Sequence, residues 1–249
     1  MSKTIAVFGV GPGMGRSVAR RFGQEGFQVA LVARNQTRLD AYTAELAADG
    51  INATGFAGDI SNRDALPAMI EAITARFGPI DVLEYAPSGL DLHNVTTAVR
   101  DADAASFEFP LDLLLRTPVT LIGQVLPGMI QRGDGAVLFG LPVTASVPVP
   151  PYGNLATAAA AARHYLHTLY TDLADTGVYA GLLQIFGSGR RQRRRQLRPR
   201  DLWRGQLAGA TKARRACRRH LGSLPQPRLV RTSLRSMTPQ GRRPWPSAS

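Results

Sequence analysis

Cysteine is almost absent from the chain, and so is any long apolar run. The one cysteine, Cys217, excludes an intramolecular disulfide, and we predict a cytoplasmic protein. No stretch approaches the roughly 20 apolar residues of a membrane span. Residues 5–10 are too few for a signal peptide and run into a glycine turn instead of a cleavage site. We therefore expect no membrane segment, and we predict no bound metal.

Acidic residues are scarce in the last quarter of the chain. Residues 187–249 contain 18 Lys and Arg and a single acid, Asp201, whereas residues 1–186 contain 12 Lys and Arg and 17 Asp and Glu. The net charge of +12 thus combines a body of net −5 with a tail of net +17. We divide the chain into a globular domain, 1–186, and a basic Arg/Pro-rich tail, 187–249, which we expect to be disordered.

Three interpretations of this tail stay open. The first is an arm that binds nucleic acid or another polyanion through its phosphates, with Trp203 and Trp245 available to stack on bases. The second is a solvated extension without a function. The third is a shifted reading frame in a high-GC gene, which the abrupt change near Phe186 favours. Translating the other frames after codon 185 tests the third, because one of them should continue the domain.

Short apolar runs alternate with stretches of helical spacing along the body. We predict strands at 5–8, 26–33, 51–56, 80–85, 136–139 and 178–185. One helix is predicted at 38–49 with Thr37 as its cap, and the next is capped by Ser61 or Asn62. Two longer helices are predicted, one at 104–131, where Pro110 and Pro118 interrupt it, and one at 152–175. Residues 87–103 are predicted as a loop. This alternation predicts an α/β fold, a Rossmann-type doubly wound parallel sheet in a single domain.

A glycine-rich turn, residues 9–15, joins the first strand to the first helix. Glycine lets the backbone approach a ligand closely, and the helix N-terminus offers unpaired N–H groups and the positive end of a dipole. The turn therefore predicts a site for the pyrophosphate of a nucleotide. A glycine pattern alone is weak evidence for such a site.

The landmarks that follow the glycine turn resemble the short-chain dehydrogenase/reductase family over about residues 3–186. Gly9, Gly13 and Gly15 match the glycine motif of that family, and residues 58–60 match its acidic turn. Residues 80–83 match the strand before its Asn-Ala-Gly signature, and residues 126–129 match the end of its interface helix. The resemblance implies a cofactor site formed by Gly9, Gly11, Gly13, Met14, Gly15, Arg34, Asn35, Asp59, Ile60 and Ala86.

The residue at the end of the second predicted strand indicates which dinucleotide binds. An acid there would accept a hydrogen bond from the ribose 2′-hydroxyl of NAD. Arg34 stands there instead, and a guanidinium suits the 2′-phosphate of NADP through charge-assisted hydrogen bonds. We predict NADP, with NAD as the alternative. Arg34 and Asp59 also have plainer interpretations, as a solvated charge and a turn residue.

The catalytic residues of the family are largely missing. Its members pair Tyr-x-x-x-Lys on one helix with a Ser and an Asn, and Tyr152 is the matching tyrosine here. Ala156 stands in place of the lysine, Phe139 in place of the serine and Leu114 in place of the asparagine. Because the lysine charge favours the phenolate in the family, Tyr152 without it is a poor proton donor and acceptor.

Other residues near Tyr152 offer only partial replacements. Thr144 and Ser146 follow the fifth predicted strand and are candidates for the missing serine. Tyr152 itself has a plainer interpretation, as an aromatic residue that packs at a helix start.

Three functions are therefore compared. The first is an NADP-dependent oxidoreductase of short-chain type that acts on a small carbonyl or alcohol substrate, with Tyr152 handling the proton. The second is a nucleotide-binding protein of the same fold without turnover, and the third is nucleic-acid binding through the tail. The resemblance also implies a homodimer formed through the helices at 104–131 and 152–175.

Overall fold

The computed structural model describes residues 2–87 and 92–185, with only the backbone for Leu92 and His93. The tail and the predicted boundary at 186 lie outside the described residues. The strands are β1 (Thr4–Phe8), β2 (Gln28–Ala33), β3 (Ala53–Ala57), β4 (Ile80–Tyr85), β5 (Gly135–Pro142) and β6 (Val178–Ile185). The helices are α1 (Met14–Gln24), α2 (Gln36–Ala48), α3 (Leu66–Phe77), α4 (Leu92–Val95), α5 (Glu108–Leu111), α6 (Thr117–Arg132) and α7 (Gly153–Asp172).

The described strands form one parallel sheet in the order β3-β2-β1-β4-β5-β6. The chain begins at the centre with β1, runs outward to β3, and returns to β4 on the other side of β1. The strand order therefore reverses between β1 and β4. In an open α/β sheet, ligands bind beyond the carboxyl ends of the strands at this reversal. The predicted α/β, Rossmann-type doubly wound fold is confirmed.

Helices cover both faces of the sheet, because the strands are apolar on both sides. One face carries Phe8, Leu83 and Phe139, which are fully buried in a cluster that includes side chains of α3, α6 and α7. The other face carries Val7 and Leu31, which pack with side chains of α1 and α2. The sheet is thus the rigid centre from which the loops at its carboxyl edge project.

The helix starts differ from those predicted. Asn35, and not Thr37, is the N-cap of α2, and its Oδ1 accepts a hydrogen bond from the N–H of Arg38 at 2.8 Å. Thr37 lies inside the helix. Neither Ser61 nor Asn62 caps the next helix with its side chain, because a 3-10 turn, Arg63–Ala65, precedes α3 and has no side-chain cap.

Two segments contain more regular structure than predicted. β5 continues to Pro142, well beyond the predicted end at residue 139, because it pairs with β6 along its whole length. The predicted loop 87–103 contains the single helical turn α4. Both differences concern the carboxyl edge of the sheet, where tertiary contacts decide the backbone conformation.

The long helix predicted at 104–131 is present without a break at either proline. It runs from a 3-10 turn, Ala105–Phe107, through α5 and a π-helical turn, Asp112–Arg116, into α6. Its most apolar 18-residue window has a mean hydropathy of 1.4, so by length and composition alone it could cross a membrane, which was not expected. That window is 44% buried within the protein, and a single helix of this kind is weak evidence for a membrane span.

Candidate functional site

The glycine turn brings β1 close to the residues that follow β4. Gly9 has a φ of +85°, and a Cβ added to it would lie 2.7 Å from the Cα of Pro87 and 2.9 Å from the carbonyl oxygen of Ala86. A Cβ on Gly15 would lie 3.1 Å from the Cα of Val10, where α1 starts against β1. Close backbone contacts and the positive φ therefore require glycine at position 9, whereas a Cβ at Gly15 would need a shift of a few tenths of an ångström.

The start of α1 remains open to a ligand. Gly13 is the N-cap, and neither a capping side chain nor an acidic residue occupies the first turn of the helix. A Cβ added to Gly13 would meet nothing within 4 Å, and this residue is exposed. An uncapped helix start of this kind can bind an anion, whereas the N–H groups of Gly9 and Val10 bond to the carbonyl of Val32 at 3.0 and 3.1 Å. Gly11 lies within the same turn and is buried.

A cavity of about 540 Å³ lies at the carboxyl ends of β1, β2 and β3, beside the glycine turn. Five of the predicted cofactor residues line it, namely Gly9, Arg34, Asn35, Asp59 and Ile60. The cavity is also lined by residues that the predicted cofactor site did not include, among them Arg38, Ser61, Pro87, Phe109 and Leu113. The cavity therefore joins a basic end to an apolar wall.

Two arginines supply the positive charge of this cavity. Within 2–87 and 92–185, neither Arg34 nor Arg38 forms an ion pair. Asn35 stands between them and uses its Oδ1 to cap α2. The cap fixes the start of α2, and with it the backbone that carries both guanidinium groups. Two unpaired guanidinium groups at a strand end can hold a phosphate.

Asp59 forms a compact turn at the edge of the cavity. Its Oδ1 accepts hydrogen bonds from the N–H of Ser61 at 2.9 Å and from the Ser61 hydroxyl at 2.7 Å. These bonds, and to a lesser extent the charge of Arg34, lower the pKa of Asp59 below its ordinary value. The carboxylate is therefore ionised at neutral pH and available to a hydrogen-bond donor on a ligand.

Met14 and Ala86 do not line this cavity but meet at the neighbouring strand ends. A Cβ added to Gly140 in β5 would lie 2.2 Å from the Met14 Cε and 2.6 Å from the Ala86 Cβ. Gly140 thus lets the first turn of α1 close over the ends of β4 and β5.

The predicted catalytic residue, Tyr152, stands apart from the cavity lining. It ends a 3-10 turn, Pro150–Tyr152, and its half-buried side chain directly precedes α7. Ala156, Leu114 and Phe139, which replace the lysine, asparagine and serine of the family motif, are all buried. The structure therefore shows apolar packing at each of these three positions.

No lysine in the described part of the chain can replace the missing one. The single lysine there, Lys3, pairs with Asp134 at 2.6 Å, at the amino edge of the sheet. Of the two candidate hydroxyls, Ser146 accepts a hydrogen bond from Gln184 at 2.5 Å. The Thr144 hydroxyl oxygen is buried without a hydrogen-bond partner among the described residues.

Two buried polar residues near the site were not predicted from the sequence. Glu84, in β4, is fully buried between Val7 and Leu138 on the neighbouring strands, and neither carboxylate oxygen has a hydrogen-bond partner within the described ranges. Desolvation raises the pKa of Glu84 to about 8. The signal available in the sequence was an acid placed between Leu83 and Tyr85 in a predicted strand.

Asn154 is the second unpredicted residue, and it is almost fully buried near the start of α7. Its Oδ1 accepts a hydrogen bond from the N–H of Thr97 at 2.8 Å, and its Nδ2 donates to the carbonyls of Val95 at 3.1 Å and Ser106 at 2.7 Å. Asn154 therefore holds the segment that follows β4 against the helix that follows Tyr152. No local pattern in the sequence indicates these long-range partners.

Comparison with known proteins gives a consistent match over the body of the chain. The profile of the family described as short chain dehydrogenase matches residues 3–185. A short chain dehydrogenase of Pseudocercospora fijiensis is 33% identical over 176 residues, which are 71% of this chain and 56% of that longer protein. The 3-oxoacyl-[acyl-carrier-protein] reductase FabG of Staphylococcus aureus is 25% identical over 179 residues, covering 72% of this chain and 71% of that protein.

The fold also matches solved structures of similar proteins. A variant of actinorhodin polyketide ketoreductase, crystallised with NADPH, superposes with a TM-score of 0.65 at 25% sequence identity. The superposition covers 73% of this chain and 69% of that one. The family match ends at residue 185, beside the change in composition that opens the basic tail.

Proposed function

Because the chain belongs to the short-chain dehydrogenase family, we propose that it binds NADP(H) and carries out the oxidation or reduction of a small alcohol or carbonyl compound. When bound, the cofactor supplies or accepts the hydride. The observation that carries the cofactor assignment is the cavity beside the reversal of strand order at β1, with Arg34 and Arg38 at its basic end. NAD is the alternative cofactor.

The residues present fit such a dinucleotide. Gly9 leaves no room for a Cβ, so its backbone contacts the segment after β4 directly. The glycine turn would therefore leave space for a pyrophosphate at the start of α1. Arg34 and Arg38 hold the 2′-phosphate through charge-assisted hydrogen bonds. Asp59 accepts a hydrogen bond from the adenine amino group. Gly11, Gly13, Met14, Gly15, Asn35, Ile60 and Ala86 complete the proposed site.

Titration with NADPH, followed by cofactor fluorescence, tests this assignment. Arg34→Ala should weaken NADPH binding at least about tenfold while changing NADH binding much less, because only NADPH carries the 2′-phosphate. Arg76→Ala removes an equal charge in the last turn of α3 and serves as the control. Equal losses for both cofactors in Arg34→Ala would contradict the proposed phosphate contact.

We propose Tyr152 as the residue that exchanges a proton with the oxygen of the substrate. Buried Ala156 in place of a lysine favours a second candidate function, a cofactor-binding protein that turns over slowly or not at all. NADPH oxidation with a panel of carbonyl compounds separates the two, and Tyr152→Phe should abolish any turnover found. Turnover that survives Tyr152→Phe would exclude Tyr152 from the chemistry. Nucleic-acid binding through the tail stays a prediction, since the tail lies outside the described residues.

We also propose a homodimer formed through α6 and α7, in the cytoplasm. Large apolar side chains are exposed on these helices, among them Ile130 at 41% and Tyr170 at 42%. Exposed apolar groups of this size favour association. Light scattering of the purified chain should give twice the mass of the single chain, and a monomer at micromolar concentration would contradict the proposed interface.

A further inference from the structure

Tyr85 is the last residue of β4, and it contacts the long helix that precedes β5. Its side chain is fully buried, and its hydroxyl donates a hydrogen bond to the carbonyl oxygen of Leu113 at 2.5 Å. The two residues are 28 positions apart in the sequence. Burial raises the pKa of Tyr85 above its ordinary value, so the hydroxyl keeps its proton and acts as a donor.

The carbonyl of Leu113 needs this donor because of the π-helical turn at Asp112–Arg116. In an α-helix that carbonyl would accept from the N–H of Thr117, four residues later. The N–H of Thr117 instead bonds to the carbonyl of Asp112, five residues back. The next donor in the five-residue pattern would be residue 118, which is a proline and has no N–H. Both usual backbone donors are therefore lost.

The same turn forms part of the wall of the cavity. Leu113 and Phe109 are four residues apart, share one face of the helix, and both line the cavity that contains Arg34 and Asp59. Leu113 is nearly buried, whereas Phe109 is 42% exposed. On the outer side, Arg116 pairs with Asp112 at 2.9 Å and with Glu108 at 2.8 Å. The Tyr85 hydroxyl holds the turn from the inside.

We propose that Tyr85 is a positioning residue for the cofactor. By completing the hydrogen bonds of the π-helical turn, its hydroxyl sets where Leu113 and Phe109 stand and so shapes the apolar wall for the nucleotide base. The proposal rests on the proposed binding of NADP(H) in this cavity. It assigns no chemical step to Tyr85, and it explains why a proline is accommodated at position 118 of a continuous helix.

The test is a double-mutant cycle read by NADPH affinity and by thermal unfolding. Tyr85→Phe removes only the hydroxyl and should raise the Kd for NADPH roughly fivefold, the equivalent of about 1 kcal/mol. Pro118→Ala supplies the missing N–H and alone should leave the Kd within about twofold of wild type. The double variant, Tyr85→Phe with Pro118→Ala, should recover wild-type affinity within about twofold, because the Leu113 carbonyl regains a donor.

Tyr165→Phe is the matched control, because it removes a hydroxyl from a half-buried tyrosine of α7 that does not line the cavity. It should leave the Kd unchanged. If Tyr85→Phe lowers the melting temperature but binds NADPH as wild type does, the hydrogen bond only stabilises the fold and the positioning role is wrong. A double variant as weak as Tyr85→Phe would overturn the proposed reason for the contact.

Failure of the proposed function is distinguishable from failure of this inference. If the wild-type chain does not bind NADPH, the cofactor assignment fails, and with it the effect of Tyr85 on the cofactor. The melting temperatures of the wild type, Tyr85→Phe, Pro118→Ala and the double variant then decide whether the hydroxyl and Pro118 act on one carbonyl. Non-additive changes in melting temperature are expected, and additive changes would overturn the inference. If Tyr85→Phe does not fold, the inference requires the double variant to fold. A double variant that also fails to fold would overturn the inference.

Discussion

The buried acid Glu84 makes the stability of the domain depend on pH in a way that one substitution should remove. Its pKa in the folded protein is about 8, compared with an ordinary value of 4.5. Between these two values the unfolded chain releases the proton and the folded chain keeps it. The folded state therefore loses stability as the pH rises, in contrast to a carboxylate that is paired in the folded state.

The size of the effect follows from the two pKa values. One pKa unit corresponds to about 1.36 kcal/mol, so the free energy of unfolding should fall by about 3–4 kcal/mol between pH 5 and pH 8 through Glu84 alone. Glu84→Gln removes this contribution, because the amide does not titrate. The unfolding free energy of Glu84→Gln minus that of the wild type should therefore increase with pH. The variant should be the more stable protein at pH 8.

Denaturation in urea at several pH values, followed by circular dichroism, measures these free energies. The lowered pKa of His167 affects both proteins equally and cancels in the difference. Glu71→Gln makes the same substitution at an exposed position of α3 and is the matched control. A constant difference between wild type and Glu84→Gln from pH 5 to pH 8 would refute the view that Glu84 is uncharged in the folded protein.

Two further predictions concern contacts at the carboxyl edge of the sheet. Asn154→Ala should lower the unfolding free energy by roughly 2–4 kcal/mol, because several partly buried backbone groups lose their partner; a loss below about 0.5 kcal/mol in urea denaturation would contradict the anchoring role. Gly9→Ala should cost more than about 1 kcal/mol, owing to its positive φ and the backbone of Pro87, whereas Gly13→Ala should not. Equal unfolding free energies for the two glycine variants would show that the turn tolerates a Cβ at Gly9.

The sheet and the cofactor half of the site could be predicted because their signals are local. β1, the glycine turn and α1 follow one another within a few residues, and Gly9 has the positive φ that only glycine adopts readily. Arg34 directly follows β2 and Asp59 lies two residues after the end of β3, so a parallel sheet places them at the same edge. The strand order then brings both to the cavity beside the glycine turn.

The features that could not be predicted depend on contacts between distant residues. Asn154 bonds to residues 48 to 59 positions away, and the partner of Tyr85 is 28 positions away. Pro118 predicts a helix break from its missing N–H, but the tyrosine from β4 supplies a donor and the helix continues. The cap of α2 was predicted at Thr37 and lies at Asn35, because both residue types cap helices and only the backbone conformation distinguishes them.

We propose that this chain keeps the cofactor site of its family and has lost most of the family's catalytic residues. Fluorescence titration of the full chain with NADPH, with turnover measured on the same samples, tests it most directly. We predict saturable NADPH binding that Arg34→Ala weakens and Arg76→Ala does not, with slow oxidation of the cofactor by carbonyl compounds that Tyr152→Phe abolishes. Absence of saturable binding, or rapid turnover despite Ala156, would contradict the account.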